Sequence, residues 1–226
     1  ATARGKVQVP GLGDPNVREA NSVAVIDVST PAAPRLVTFV RTGRPFGAGV
    51  HGGSSPCGIL AAGGRVFVAN TNDDSISVID AATNTVTGEI PIRIPGLETL
   101  RGVLPIGLAW HEKNGWLLLA FVGRGKPDNN ANDNVQVCIS RDRGDSWSKP
   151  VVAASGRSWE PGMIQLDDGT IDLFYSSEAQ WFPGTDVQQE ILLISSSDNG
   201  QSWTSPRRVA YTPGMRDGMA VPVLLA

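Results

Sequence analysis

The chain predicts an all-β fold, a β-propeller of about four to five four-stranded blades, on three observations. Short alternating segments bounded by turn residues run along its length, they recur at a near-fixed interval, and no stretch carries a capped 3.6-residue apolar period. The segments, in order, begin with "GKVQVPG" (5–11) and "SVAVIDV" (22–28). "RVFVAN" (65–70) and "SISVID" (75–80) follow, rich in β-branched residues and flanked by Gly, Asn and Asp. "GLETLRGVL" (96–104) could make one turn of helix and no more. "PIGLAW" (105–110) and "WLLLAFV" (116–122) read as two strands joined by a turn. "NVQVCIS" (134–140), "TIDLFYS" (170–176), "EILLISS" (190–196) and a closing "MAVPVLLA" (219–226) complete the set.

The interval is what selects a propeller. "NSVAVIDVSTPAAPRLVTFV" (21–40) realigns on "DSISVIDAATNTVTGEIPI" (74–92) at an offset of 53, and "SRDRGDSW" (140–147) on "SSDNGQSW" (196–203) at 56. Strands near 23, 76, 135 and 191 therefore recur every 53 to 59 residues, with about four strands in each period. The last apolar segment has no hairpin partner after it. It is expected to pair with the N-terminal strand, as a ring that removes its edges would require, or with a second copy of the chain in a homodimer.

Composition narrows the function classes. The 226 residues carry 18% charged side chains and a net charge of −3, so no basic footprint points to nucleic acid or an anionic membrane. Gly 26 and Pro 16 suit short strands and tight turns. The longest apolar run, Trp116 to Val122, is too short to span a bilayer as a helix. Cys57 and Cys138 lie in different repeats and read as two free thiols rather than a disulfide framework. "ATARGKVQVPG" has no apolar core of a signal peptide, so the expectation is a mature chain or one that starts inside a fold.

The two halves follow different repeat patterns. "SSPCGILAAGGRVFVANTNDDSISVIDAATNTVTGEI" (54–90) resembles the YVTN-type propeller repeat of bacterial surface and quinoprotein-like proteins, and residues 21–40 carry the later half of the same pattern. Residues 114–226 resemble the Asp-box (BNR) propellers of sialidases and exo-acting arabinan hydrolases. That resemblance rests on S-x-D-x-G-x-x-W occurring twice, as Ser140, Asp142, Gly144, Trp147 and as Ser196, Asp198, Gly200, Trp203. These residues are expected to be structural: the Asp ties a hairpin turn to backbone N–H groups, the Gly takes a conformation a Cβ would hinder, and the Trp packs the blade. The pairing implies one propeller domain over 1–226, with YVTN-like blades over 1–110 and Asp-box-like blades over 111–226, and a seam near 108–121. Both parent families are typically secreted or periplasmic.

"SWEPGMIQLDDGTIDLFYSSEAQW" (158–181) followed by "PGMRDGMAVPVLLA" (213–226) is similar to the exo-arabinanase branch. The resemblance implies Glu160 as the acid that protonates the leaving group, with Glu178, Tyr175 and Arg216 lining the same pocket. A glycosidase needs a second carboxylate, for which Glu178 and Asp172 are candidates. The resemblance would place it on a strand beyond "VPVLLA", which the sequence does not include. Trp159 and Trp181 could stack on sugar rings or pack the blades.

Other motifs fall short. "GVHGGSSPCG" (49–58), with His51, lacks the Lys of a phosphate-binding loop, and Cys57 stands where a nucleophile elbow needs Gly. "GLGDPN" (11–16) breaks G-x-G-x-x-G at Asn16. "DNNANDN" (128–134) lacks the Gly and Glu of an EF-hand at Asp133 and Ile139. With His51 and His111 the only histidines, a His-based metal centre or Ser-His-Asp triad is not expected, and no cofactor or metal is implied.

Three functions stay open. The leading one is a chimeric, engineered propeller scaffold with no surviving catalysis. The alternatives are an Asp-box glycoside hydrolase with Glu160 as general acid, and a carbohydrate- or protein-binding module using Trp159, Trp181 and Arg216.

Overall fold

A computed structural model describes residues 2–3, 21–43, 54, 56–70, 75–92, 102–111, 114–124, 133–182, 184 and 186–224. Among them there is no helix. Fifteen strands form four antiparallel meanders, so each strand pairs with its neighbour in sequence. The chain divides into two compact units, Ala1–Ile92 and Arg93–Ala226.

The first unit holds two sheets. One joins β1 (Thr2–Ala3), β2 (Ser22–Asp27) and β3 (Arg35–Arg41); the other joins β4 (Pro56–Ala62), β5 (Arg65–Asn70), β6 (Ser75–Asp80) and β7 (Thr85–Pro91). Val23 and Val40 of the first sheet pack on Val68 and Ile79 of the second, with Val25 and Val66 at the margin. Below that apolar seam Asn70 donates to Ser75 Oγ at 3.1 Å and to Ser77 Oγ at 2.8 Å. The two hydroxyls donate hydrogen bonds to the Glu89 carboxylate.

The second unit repeats the arrangement with β8 (Gly102–His111), β9 (Trp116–Arg124), β10 (Asn134–Ser140) and β11 (Val151–Ser155), then β12 (Ser158–Gln165), β13 (Ile171–Ser177), β14 (Glu190–Ser196) and β15 (Arg207–Ala210). Residues 117–122 are buried on both faces of β9, which explains an uninterrupted apolar run where an exposed strand would alternate. Leu118, Val135, Val137 and Ile139 of the third sheet interlock with Met163, Ile171, Leu173 and Ile194 of the fourth. Burying such a side chain contributes about 1.5–3 kcal/mol, and this seam holds the two sheets face to face.

The repeated segments of the sequence are β2, β6, β10 and β14. Each is the next-to-last strand of its sheet. Two expectations change. Residues 219–224, read as a closing strand, join no ladder, because Pro222 withholds an N–H and the segment lies instead across β12. Residues 102–104, where a helical turn was an option, belong to β8. The segments 5–11, 11–16, 96–101 and 128–132, and the loop around His51, lie outside the described residues. Cys57 and Cys138 are not joined in a disulfide, as expected, and burial pushes the Cys138 thiol strongly upward.

Candidate functional site

The two Asp-box hairpins close the third-to-fourth strand connections of the second unit. Ser140 Oγ donates to Asp142 Oδ1 at 2.8 Å and accepts the Gly144 N–H at 2.6 Å, while Asp142 Oδ1 accepts the Ser146 N–H at 2.8 Å. The second hairpin copies this: Ser196 Oγ donates to Asp198 Oδ1 at 2.8 Å and accepts the Gly200 N–H at 2.8 Å. Asp198 Oδ1 also accepts the N–H groups of Gln201 and Ser202. Gly144 and Gly200 take φ of 104° and 83°. Trp147 is buried and Trp203 packs on the core seam. All eight residues therefore serve the hairpins and the packing.

Chemistry gathers instead at β12. Pro161 has no N–H to give to β13, and the ladder breaks there: Trp159 pairs with Ser176, and the next pair is Gly162 with Phe174. Glu160 is left at φ 53°, a conformation that costs a non-glycine residue about 1–3 kcal/mol and concentrates at functional sites. Its Oε2 accepts the Met219 N–H at 2.9 Å and the Ser176 hydroxyl at 3.4 Å. A side chain bulged out of its ladder and held at one oxygen is oriented rather than loose.

Glu178, one residue past β13, is fully buried and forms ion pairs with both Arg157 and Arg216. Arg157 in turn lies over the rings of Trp159 (5.7 Å) and Phe182 (5.0 Å). Half of the Arg216 side chain, 54%, remains in water. Glu178 thus fixes two cations, one stacked away and one presented. The carboxylate of Glu178 is thus engaged by two guanidinium groups, one on each oxygen.

The remaining predicted residues divide. Tyr175 is buried, and burial together with the Glu190 charge pushes its phenol up to about 12. It is a packing residue facing Glu190, which pairs with Arg208 and accepts from Gln180 Nε2 at 3.0 Å. Trp181 stacks on Tyr211 at 5.4 Å, and Arg208 covers that tyrosine at 4.7 Å. Asp172 accepts the Ser195 hydroxyl on β14. Among the described residues no three His, Cys, Asp or Glu side chains converge as a metal site would require.

This geometry sits on a fold with known counterparts. An exo-1,5-α-L-arabinanase from a bovine ruminal metagenomic library superposes with a TM-score of 0.53 at 13% identity, over 84% of this chain and 69% of its own. An α-L-arabinanase of Penicillium chrysogenum, solved with arabinobiose, gives 0.52 at 16%, over 72% and 51%. The NanB sialidase of Streptococcus pneumoniae gives 0.52 at 16%, over 82% and 28%. The fold is a β-propeller. Residues 115–220, which contain both Asp boxes, match the family described as the BNR repeat-like domain. No curated protein sequence matches the chain. The chain spans about half the length of the Penicillium enzyme and less than a third of the sialidase.

The YVTN-type reading of residues 1–110, and with it an engineered join, draws no support. The likeness to the ruminal arabinanase covers more of the propeller than residues 93–226 alone could supply.

Sequence reasoning missed Arg157, Ser176, Gln189 and the 218–219 backbone. Arg157 had a signal, since it stands two residues before Trp159 and immediately ahead of β12. The others are joined to Glu160 or Arg216 across 16 to 59 residues, with no pattern of spacing to reveal them.

Proposed function

We propose that this propeller carries a glycoside hydrolase site of the Asp-box class, acting on an arabinan- or sialoside-type substrate, with Glu160 as the general acid. The observation that carries the reading is the placement of Glu160. The residue is displaced from the ladder by the Pro161 bulge and held at φ 53°, and its carboxyl accepts from two donors, one of them on the segment that carries the half-exposed Arg216. In the reaction the protonated carboxyl gives its proton to the glycosidic oxygen as the bond from that oxygen to the anomeric carbon breaks. Water then adds its hydroxyl to the anomeric carbon and gives its other proton to a carboxylate acting as base. Glu178 keeps Arg216 in place, which leaves the nucleophile or base to a residue other than Glu178.

The test is a panel: linear arabinan, an aryl α-L-arabinofuranoside and an aryl sialoside, each assayed for released sugar. Release from one of them, reduced about 10²–10⁴-fold in Glu160→Gln, is the expected result. No release from any of the three contradicts the reading.

A second reading, a glycan-binding module, is favoured by the same commitment of Glu178 to its arginines. It would use Arg216, Trp159 and Trp181 as contacts. Calorimetric binding of arabino-oligosaccharides without turnover, weakened in Arg216→Ala, would select it.

A further inference from the structure

The segment 213–222, here called the strap, has almost no secondary structure of its own, yet it is held at three points on the fourth sheet. Gln189 brackets Arg216 in a parallel bridge, with the Gln189 N–H reaching the Met215 carbonyl at 3.3 Å and the Asp217 N–H reaching the Gln189 carbonyl at 3.1 Å. Met219, at φ 57°, gives its N–H to Glu160 Oε2 at 2.9 Å. Residues 220 and 222 press on β12 so closely that a Cβ on Gly162 would lie 2.6 Å from the Ala220 carbonyl oxygen and 3.1 Å from Pro222 Cδ.

The strap meets the carboxylate just as closely. A Cβ on Gly218 would lie 2.9 Å from Glu160 Oε2, 3.2 Å from Gln189 Nε2 and 3.5 Å from Ser176 Oγ. Two strained non-glycine residues, Glu160 and Met219, face each other across one hydrogen bond, and such conformations persist where the surrounding structure over-determines them.

We propose that the strap and Glu160 position one another: Met219 N–H, Ser176 O–H and the bare backbone of Gly218 orient the carboxylate, and the carboxylate anchors the strap. Met219 and Ser176 are therefore positioning residues for the acid. The same strap carries Arg216, so its seating sets the acid and the presented cation together. The catalytic half of this inference rests on the reading of Glu160 given above; the anchoring half does not.

The two halves are tested separately. Gly218→Ala is the sharpest probe, because position 218 is not in the left-handed region and the added methyl meets Glu160 Oε2 most closely, at 2.9 Å, ahead of Gln189 Nε2 at 3.2 Å. Amide exchange at Met219 is followed by NMR, with amides of the β13–β14 ladder as the reference for global stability. Glu160→Ala and Gly218→Ala are expected to speed Met219 exchange about tenfold against that reference. Glu160→Gln keeps an acceptor oxygen and is expected to stay within about twofold of the parent. Unchanged Met219 exchange in Glu160→Ala overturns the anchoring; if that variant does not fold, unchanged exchange in Gly218→Ala does so.

On a substrate found by the panel, Gly218→Ala and Ser176→Ala are expected to lower kcat by roughly tenfold with KM held, the mark of a misaimed acid. Unchanged kcat in both overturns the positioning. A chain with no turnover at all removes the glycosidase reading, while the exchange experiment still decides whether the latch exists.

Discussion

Asp142 and Asp198 each hold a hairpin with one carboxylate, and Asp27 and Asp80 do the same work in the first unit. Asp27 Oδ1 accepts the Ser29 N–H at 2.9 Å, and Asp80 Oδ1 accepts the N–H groups of Ala82 and Thr83 at 3.0 and 2.8 Å. Asp27 and Asp80 end β2 and β6, where Ser140 and Ser196 end β10 and β14. The two repeat patterns are thus two ways of tying the same turn, with the carboxylate shifted by two residues. Hydrogen bonds from Ser146, then Ser140, hold the Asp142 carboxyl down at about 2, and those from Ser202 hold Asp198 there as well. A depressed carboxyl stabilises the folded state above its ordinary value of 3.8, and that contribution is lost as pH falls toward about 2. Thermal unfolding followed from pH 5 to 2 is therefore expected to show a steep loss of Tm below about 4, shallower in the Asp142→Asn, Asp198→Asn double variant. Equal slopes in parent and variant would remove these hairpins from the acid response.

At the scale of elements, the informative pieces are the β12 bulge and the Glu178 cluster. The bulge was not among the expectations, because a Pro after Trp-Glu fits a strand start, an edge strand or a bulge alike, and β12 is an edge strand that bulges there. The cluster was legible in part. Glu178 and Arg216 stood out in the sequence, but the second cation, Arg157, and its rings Trp159 and Phe182 come together through tertiary packing. Removing a buried carboxylate strands its partners, at about 3–5 kcal/mol in general. For Glu178→Ala about 3 kcal/mol is expected, at the low end because Arg216 is half in water. Chemical denaturation measures it, and a change below about 1 kcal/mol, the scale of a surface pair, would show that the arginines stand without Glu178. The same reasoning corrects the candidate pocket: Tyr175 belongs to the core, whereas the strap residues that contact Glu160 could not be read from local sequence at all.

For the whole molecule, the 53-to-59-residue period sufficed for the fold, since repeating strands that cannot bury both faces alone must stack. The period could not tell one propeller family from two, because turn chemistry varies between sheets while the strands do not. Difference in turn motif between the halves was read as difference in ancestry, and the likeness of the chain to arabinanase and sialidase propellers gives that reading no support. Asp boxes locate sheets rather than substrates, so the functional claim depends on Glu160 alone.

The most direct measurement of that claim is the leaving-group dependence of Glu160→Gln. The parent and the variant are compared on linear arabinan, whose leaving sugar needs a proton, and on a 2,4-dinitrophenyl arabinofuranoside, whose leaving group does not. A general acid predicts a loss of about 10²–10⁴-fold on arabinan and less than about tenfold on the activated glycoside. Equal losses on both substrates, or no loss on arabinan, would contradict the assignment of Glu160 as the acid.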